Sequence, residues 1–162
     1  MLKKQTKKFR KVHVELIKGP TGCGKTKSAF ETDPNLYKIE GSQLNWFDGY
    51  EGEKTLLIDE YNNDVNITRL LNILDGYQLR LPIKGGFTYA NWTKVIITTN
   101  LQNLHTNAKI EHIKALNRRI TKVINLFDKL PKCHLGNTGL NDYDVSINDL
   151  EPETDIEEAE PY

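Results

Sequence analysis

Apolar residues come along this chain in short dense runs, divided by glycine, asparagine and charge. The runs at 12–17, 55–58 and 94–99 each read as a buried strand, with shorter ones at 36–39 and 122–127. Other apolar positions recur at helical spacing. They predict helices over 25–31, over 68–74 through Leu70, Leu71, Ile73 and Leu74, and over 108–120 through Ile110, Ile113, Leu116 and Ile120. Pro34 ends the first of these, because proline excludes the helical conformation of its predecessor. Asn66 or Thr68 is a candidate cap for the second, and Gly76 suits its stop. Residues 79–84 alternate, Gly85-Gly86 makes a turn and 87–92 returns, which reads as a β-hairpin. Strands alternating with helices predict an α/β domain.

Charge divides the chain into three parts. Of its 162 residues, 22 are basic and 22 acidic, a net charge of zero that conceals opposite ends. Lys3, Lys4, Lys7, Lys8, Arg10 and Lys11 crowd the start, and Asp142 to Glu160 holds the densest run of acids. The expected organisation is a basic flexible arm at 1–11, a globular domain at 12–127 and an acidic disordered tail at 128–162. No apolar run approaches the roughly 20 residues of a membrane span, and the basic N-terminus lacks the apolar core of a signal peptide. Neither the two cysteines nor the four histidines stand at metal-site spacing.

The chemistry begins at Gly19-Pro20-Thr21-Gly22-Cys23-Gly24-Lys25-Thr26, which reads G-x-x-x-x-G-K-[ST] between a predicted strand and a predicted helix. Glycines let backbone N–H groups curl around an anion, and a helix start adds free N–H groups and its dipole. The motif predicts a nucleotide-binding loop, with Lys25 on the β- and γ-phosphates and Thr26 on Mg²⁺. The strand at 55–58 runs into Asp59 and Glu60. Two acids at a strand tip are tolerated beside a cation; Asp59 is the expected metal ligand and Glu60 the expected activator of water. Asn100, at the tip of the next buried strand, is placed to sense the γ-phosphate. Arg118 and Arg119 close the last predicted helix, and either is a candidate arginine finger. Lys84, Gly85 and Gly86 form the hairpin tip, where lysine and neighbouring aromatics suit single-stranded nucleic acid. The aromatics of 46–50 flank an Asp48-Gly49 turn and are expected to pack on the sheet.

Taken in order, GPTGCGKT (19–26), WFDGYEGE (46–53), LLIDEY (56–61), IKGG (83–86), VIITTN (95–100) and ALNRRI (115–120) resemble the superfamily 3 helicase domain of replication-associated proteins of circoviruses and related single-stranded DNA viruses. The resemblance covers about residues 12–126. It implies a P-loop NTPase of the AAA+ type: a three-layer α/β/α domain with a mainly parallel central sheet and an inserted hairpin. It also implies ATP hydrolysis with Mg²⁺, a hexameric ring on single-stranded DNA, and replication in the host nucleus. By position Lys25 and Thr26 match Walker A, Asp59 and Glu60 match Walker B, Lys84 matches motif B-prime and Asn100 matches motif C. Arg118 or Arg119 matches the finger offered to a neighbouring subunit. His13-Val14-Glu15 is not the histidine motif of the nuclease that precedes this domain in the family, so a separate nuclease partner is expected. Some RNA viruses encode helicases with the same motif order, which keeps RNA as an alternative substrate, and a non-assembling nucleotide-binding remnant is a third reading.

Overall fold

The computed structural model describes residues 9–129. Five strands form its central sheet: β1 (His13–Lys18), β2 (Tyr37–Glu40), β3 (Thr55–Asp59), β6 (Lys94–Thr99) and β7 (Lys122–Asn125). The order is β2-β3-β6-β1-β7, and every pairing is parallel. Parallel strands need a crossover between each pair; the helices are α1 (Lys25–Thr32), α2 (Ile67–Ile73) and α3 (Ile110–Arg119).

Successive side chains of a strand point to opposite faces, and the core divides accordingly. Leu57, Ile96 and Ile17 pack with Ala29 of α1. Their neighbours Leu16, Leu56, Ile58, Val95 and Ile97 pack with α2 and α3 through Leu70, Leu71, Ile73 and Leu116. Strands buried on both faces therefore read as continuous apolar runs, and the domain has the three expected layers. Asn66 is the cap of α2, its side chain accepting the Thr68 N–H at 2.8 Å.

The hairpin, β4 (Arg80–Ile83) and β5 (Gly86–Tyr89), forms a separate two-stranded antiparallel sheet inserted between α2 and β6. Its return strand is shorter than the 87–92 expected. After Tyr89 the chain turns inward to bury Trp92, whose indole N–H donates to the Ile73 carbonyl at 3.0 Å. Trp92 stacks on Phe47 at 5.7 Å and meets Tyr50 edge-on at 5.4 Å. The Phe47 N–H donates to the Pro82 carbonyl at 2.9 Å. One aromatic cluster thus joins the 46–50 loop to the base of the hairpin. Burial pushes the Tyr50 hydroxyl up to about 12, so it stays protonated as it donates to the Glu53 carbonyl at 2.9 Å.

Of the expected basic arm, Phe9, Arg10 and Lys11 are described. Arg10 is pinned rather than free: its N–H donates to the Gly76 carbonyl at 2.9 Å, and its guanidinium bonds the Trp92 and Tyr77 carbonyls. A side chain at position 76 would run into the Arg10 backbone, which accounts for glycine there. Residues 1–8 of the arm, and the acidic tail from 130 onward, lie outside the described residues.

The aromatic cluster yields a paired prediction. Phe47 is fully buried and Trp46 is 60% exposed. Phe47→Ala should lower unfolding free energy by about 3–5 kcal/mol, and Trp46→Ala should change it by no more than about 0.5 kcal/mol, as read from urea melts of the two variants.

Candidate active site

The parallel register brings the C-terminal ends of β1, β6 and β3 to one edge of the sheet. From β1 the chain enters the glycine loop. Gly22 and Gly24 take left-handed φ values of 86° and 83°, conformations that L side chains rarely adopt. Gly24 is the N-cap of α1 and no side chain caps it; the helix therefore starts with N–H groups turned towards the loop. The Gly19 N–H donates to the Thr99 carbonyl at 3.1 Å, which fastens the loop to β6.

Lys25, 7% exposed, folds back over this loop. Its Nζ donates to the carbonyls of Gly19 and Pro20, both at 2.8 Å, and to Asn100 Oδ1 at 3.0 Å. Three neutral oxygens surround one ammonium. Burial lowers its pKa from 10.5, and the fields of Asp59 and Glu60 partly restore it.

Asp59, 4% exposed, ends β3. Its Oδ1 accepts two hydroxyls, Thr26 and Thr98, each at 2.7 Å. Its Oδ2 faces Lys38 Nζ at 3.4 Å, and that lysine also bonds Glu40 at 3.2 Å. Thr26 and Asp59 are thus a hydroxyl and a carboxylate side by side at the phosphate loop. Among the described residues no cluster of three or more His, Cys, Asp or Glu could hold a metal. A hydroxyl and one carboxylate instead fit Mg²⁺, which keeps waters and shares its shell with substrate phosphates. Glu60 follows in the left-handed region at φ 52°, with its side chain exposed.

Lys25, Thr26, Asp59 and Asn100 therefore meet at one place. The two arginines lie elsewhere, at the end of α3, where the helix dipole favours cations. They differ: Arg119 bonds Asp75 and the Ala115 carbonyl, both at 3.1 Å, whereas Arg118 is exposed. At the hairpin tip Lys84, Gly85 and Gly86 are all exposed, and Gly85 takes a left-handed φ of 86°. The Lys84 N–H donates to Asp48, and Arg80 lies over the Phe87 ring at 3.7 Å. Phe47 and Tyr50 pack inward as expected of the 46–50 aromatics, but Trp46 does not. It is exposed, two residues before Asp48, whose carboxylate accepts the Lys84 N–H.

Two participants have no counterpart in the motif reading. Lys38 looks like the solvent face of a short strand, and Thr98 looks like an ordinary member of a buried one. Their contacts with Asp59 arise across the sheet, so no spacing along the chain announces them.

The chain is similar to several known proteins. The family model described as RNA helicase matches residues 16–101. The replication-associated protein of porcine circovirus 2 is 33% identical over 124 residues, covering 75% of this chain and 40% of that protein. That of beak and feather disease virus is 35% identical over 91 residues, 56% of this chain and 30% of that protein. The chain thus spans well under half the length of these relatives. Among solved structures, the S. cerevisiae Hsp104-ADP complex aligns at a TM-score of 0.47 and 16% identity, over 76% of this chain and 30% of that one.

The buried lysine predicts a pH effect. A charge whose pKa falls on folding opposes folding at neutral pH, and the penalty disappears as pH rises through the lowered value towards 10.5. Over that interval the melting temperature of the unliganded wild type should climb relative to Lys25→Met. A flat difference between the two melts would mean that the lysine is not desolvated.

Proposed function

This chain belongs to the RNA helicase family, as the superfamily 3 helicase domain of circovirus replication-associated proteins, and we propose that it hydrolyses ATP to move along single-stranded DNA during viral replication. The observation that carries the proposal is the convergence of Lys25 and Thr26, from the start of α1, with Asp59 and Asn100, from the ends of β3 and β6. A glycine loop alone would bind an anion. The added acids and polar strand tip suit a site in which water is the acceptor.

In this reading the loop N–H groups and the start of α1 receive the phosphates. Lys25 exchanges its carbonyl acceptors for phosphate oxygens. Thr26 and Asp59 hold Mg²⁺, which when bound neutralises charge on the phosphate oxygens. Glu60 takes a proton from the attacking water as its oxygen bonds the γ-phosphorus and the bond to ADP breaks. Asn100 distinguishes the triphosphate from the diphosphate. Arg118, which is exposed and among the described residues makes no bond of the kind Arg119 makes, reaches the phosphates of an adjacent copy in a homo-oligomeric, hexameric ring. Lys84, Gly85 and Gly86 follow the strand backbone. A nuclease, in the same or another polypeptide, supplies the nick, and the setting is the host nucleus.

RNA is the second reading of the substrate, favoured by the description of the matched family model. Competition between DNA and RNA oligonucleotides of one sequence separates the two. Lys84→Ala should weaken single-strand binding and reduce its salt slope by about one ion, with ATP affinity unchanged.

Turnover provides the main test. Glu60→Gln should keep ATP bound yet hydrolyse it about 10²- to 10⁴-fold more slowly, whereas Lys25→Met should lose nucleotide binding. Wild-type turnover per molecule should rise with protein concentration and with single-stranded DNA. A rate indifferent to both would reject the assembled motor.

A further inference from the structure

The parallel ladder between β3 and β6 runs in register from Thr55 with Lys94 to Ile58 with Ile97. At the next step it gives way to a different arrangement. Three consecutive residues, Asp59, Glu60 and Tyr61, all bond to one residue, Thr98. The Thr98 hydroxyl donates to Asp59 Oδ1 at 2.7 Å. The same oxygen accepts the Glu60 N–H at 2.9 Å. The Thr98 carbonyl accepts the Tyr61 N–H at 2.8 Å. Between these anchors the chain bulges at Glu60, whose φ of 52° is a strained conformation for glutamate.

We propose that Thr98 is the positioning residue of the hydrolytic step: its hydroxyl sets the Asp59 carboxylate and holds the left-handed bend that aims Glu60. Four features carry the assignment. Thr98 is fully buried, so its hydroxyl depends on protein partners, and the two it has use its single donor and one of its two acceptor lone pairs. Glu60 has lost its place in the ladder, and its N–H would otherwise be left without a ladder partner. The second hydroxyl on Asp59 Oδ1 comes from Thr26, a residue of the phosphate loop itself; Thr98 is the donor that belongs to the sheet. Finally, Thr98 lies two residues before Asn100, which bonds Lys25. One strand tip therefore bonds the lysine and both acidic residues. The neighbouring Thr99, also fully buried, completes the joint: its hydroxyl donates to the Tyr61 carbonyl at 2.6 Å and accepts the Leu101 N–H at 3.0 Å.

This inference rests on the ATPase reading, but one arm of its test does not. In nucleotide-free protein, Thr98→Val keeps the side-chain shape and removes the hydroxyl, so the Glu60 amide should exchange hydrogen faster while the Tyr61 amide stays protected. In turnover, Thr98→Val should reduce kcat about 10- to 100-fold with ATP affinity within about twofold of wild type. Thr98→Ser should restore both the rate and the Glu60 protection. Wild-type turnover by Thr98→Val would overturn the proposal. So would a parallel loss of ATP affinity, which marks a merely structural role, or a serine variant that behaves as the valine one does. Should Thr98→Val give no cooperative melt, Thr98→Ala against Thr98→Ser makes the same comparison. Wild-type protein without ATPase activity would sink the enzymatic reading, and the amide exchange would still decide whether Thr98 holds the bend.

Discussion

A lysine at the start of α1 and an aspartate at the end of β3 are both nearly buried, and the domain is arranged so that neither charge is left uncompensated. An isolated buried ion costs several kcal/mol even after relaxation. Lys25 is surrounded by two carbonyls and the Asn100 amide oxygen; Asp59 receives two hydroxyls and the Lys38 ammonium. These partners are supplied by the parallel sheet, by the loops at its C-terminal edge and by the first turn of α1. The all-parallel order β2-β3-β6-β1-β7 aligns those edges. A slip of one residue in β3 or β6 would point Asp59 or Thr98 to the opposite face and strand the charges.

The placement of β6 between β1 and β3 has a chemical consequence. It sets a strand of threonines and an asparagine between the phosphate loop and the acids. Thr98 and Thr99 take over the hydrogen bonding where the backbone ladder stops, one towards Asp59 and Glu60, the other towards Tyr61. Small hydroxyl side chains suit this position because each donates once and accepts as well. A larger polar group would not fit between strands packed to interior density.

The hairpin is built on another principle. It contributes no strand to the central sheet and is held by aromatic packing, through Trp92, Phe47 and Tyr50, by the Phe47 N–H on the Pro82 carbonyl and by the Asp48 carboxylate, which accepts the Lys84 N–H. The same loop follows β2, whose Lys38 touches Asp59. A short stretch of chain, residues 38–48, thus runs from the acids to the exposed Trp46 and the hairpin tip.

Local chemistry was enough to read much of this. Continuous apolar runs announced strands covered on both faces, and glycine with lysine and threonine announced a left-handed glycine turn into a helix start, because backbone freedom acts within a few residues. Asn66 was readable as a cap for the same reason. The order of the strands, the partners of Asp59, the pinning of Arg10 and the opposite fates of Trp46 and Phe47 were decided only in three dimensions. Each depends on which groups meet across the sheet or at the hairpin base, between residues dozens of positions apart. Adjacent aromatics such as Trp46 and Phe47 look alike in sequence; only the neighbour that a bend in the chain presents to each determines that one is buried and the other exposed.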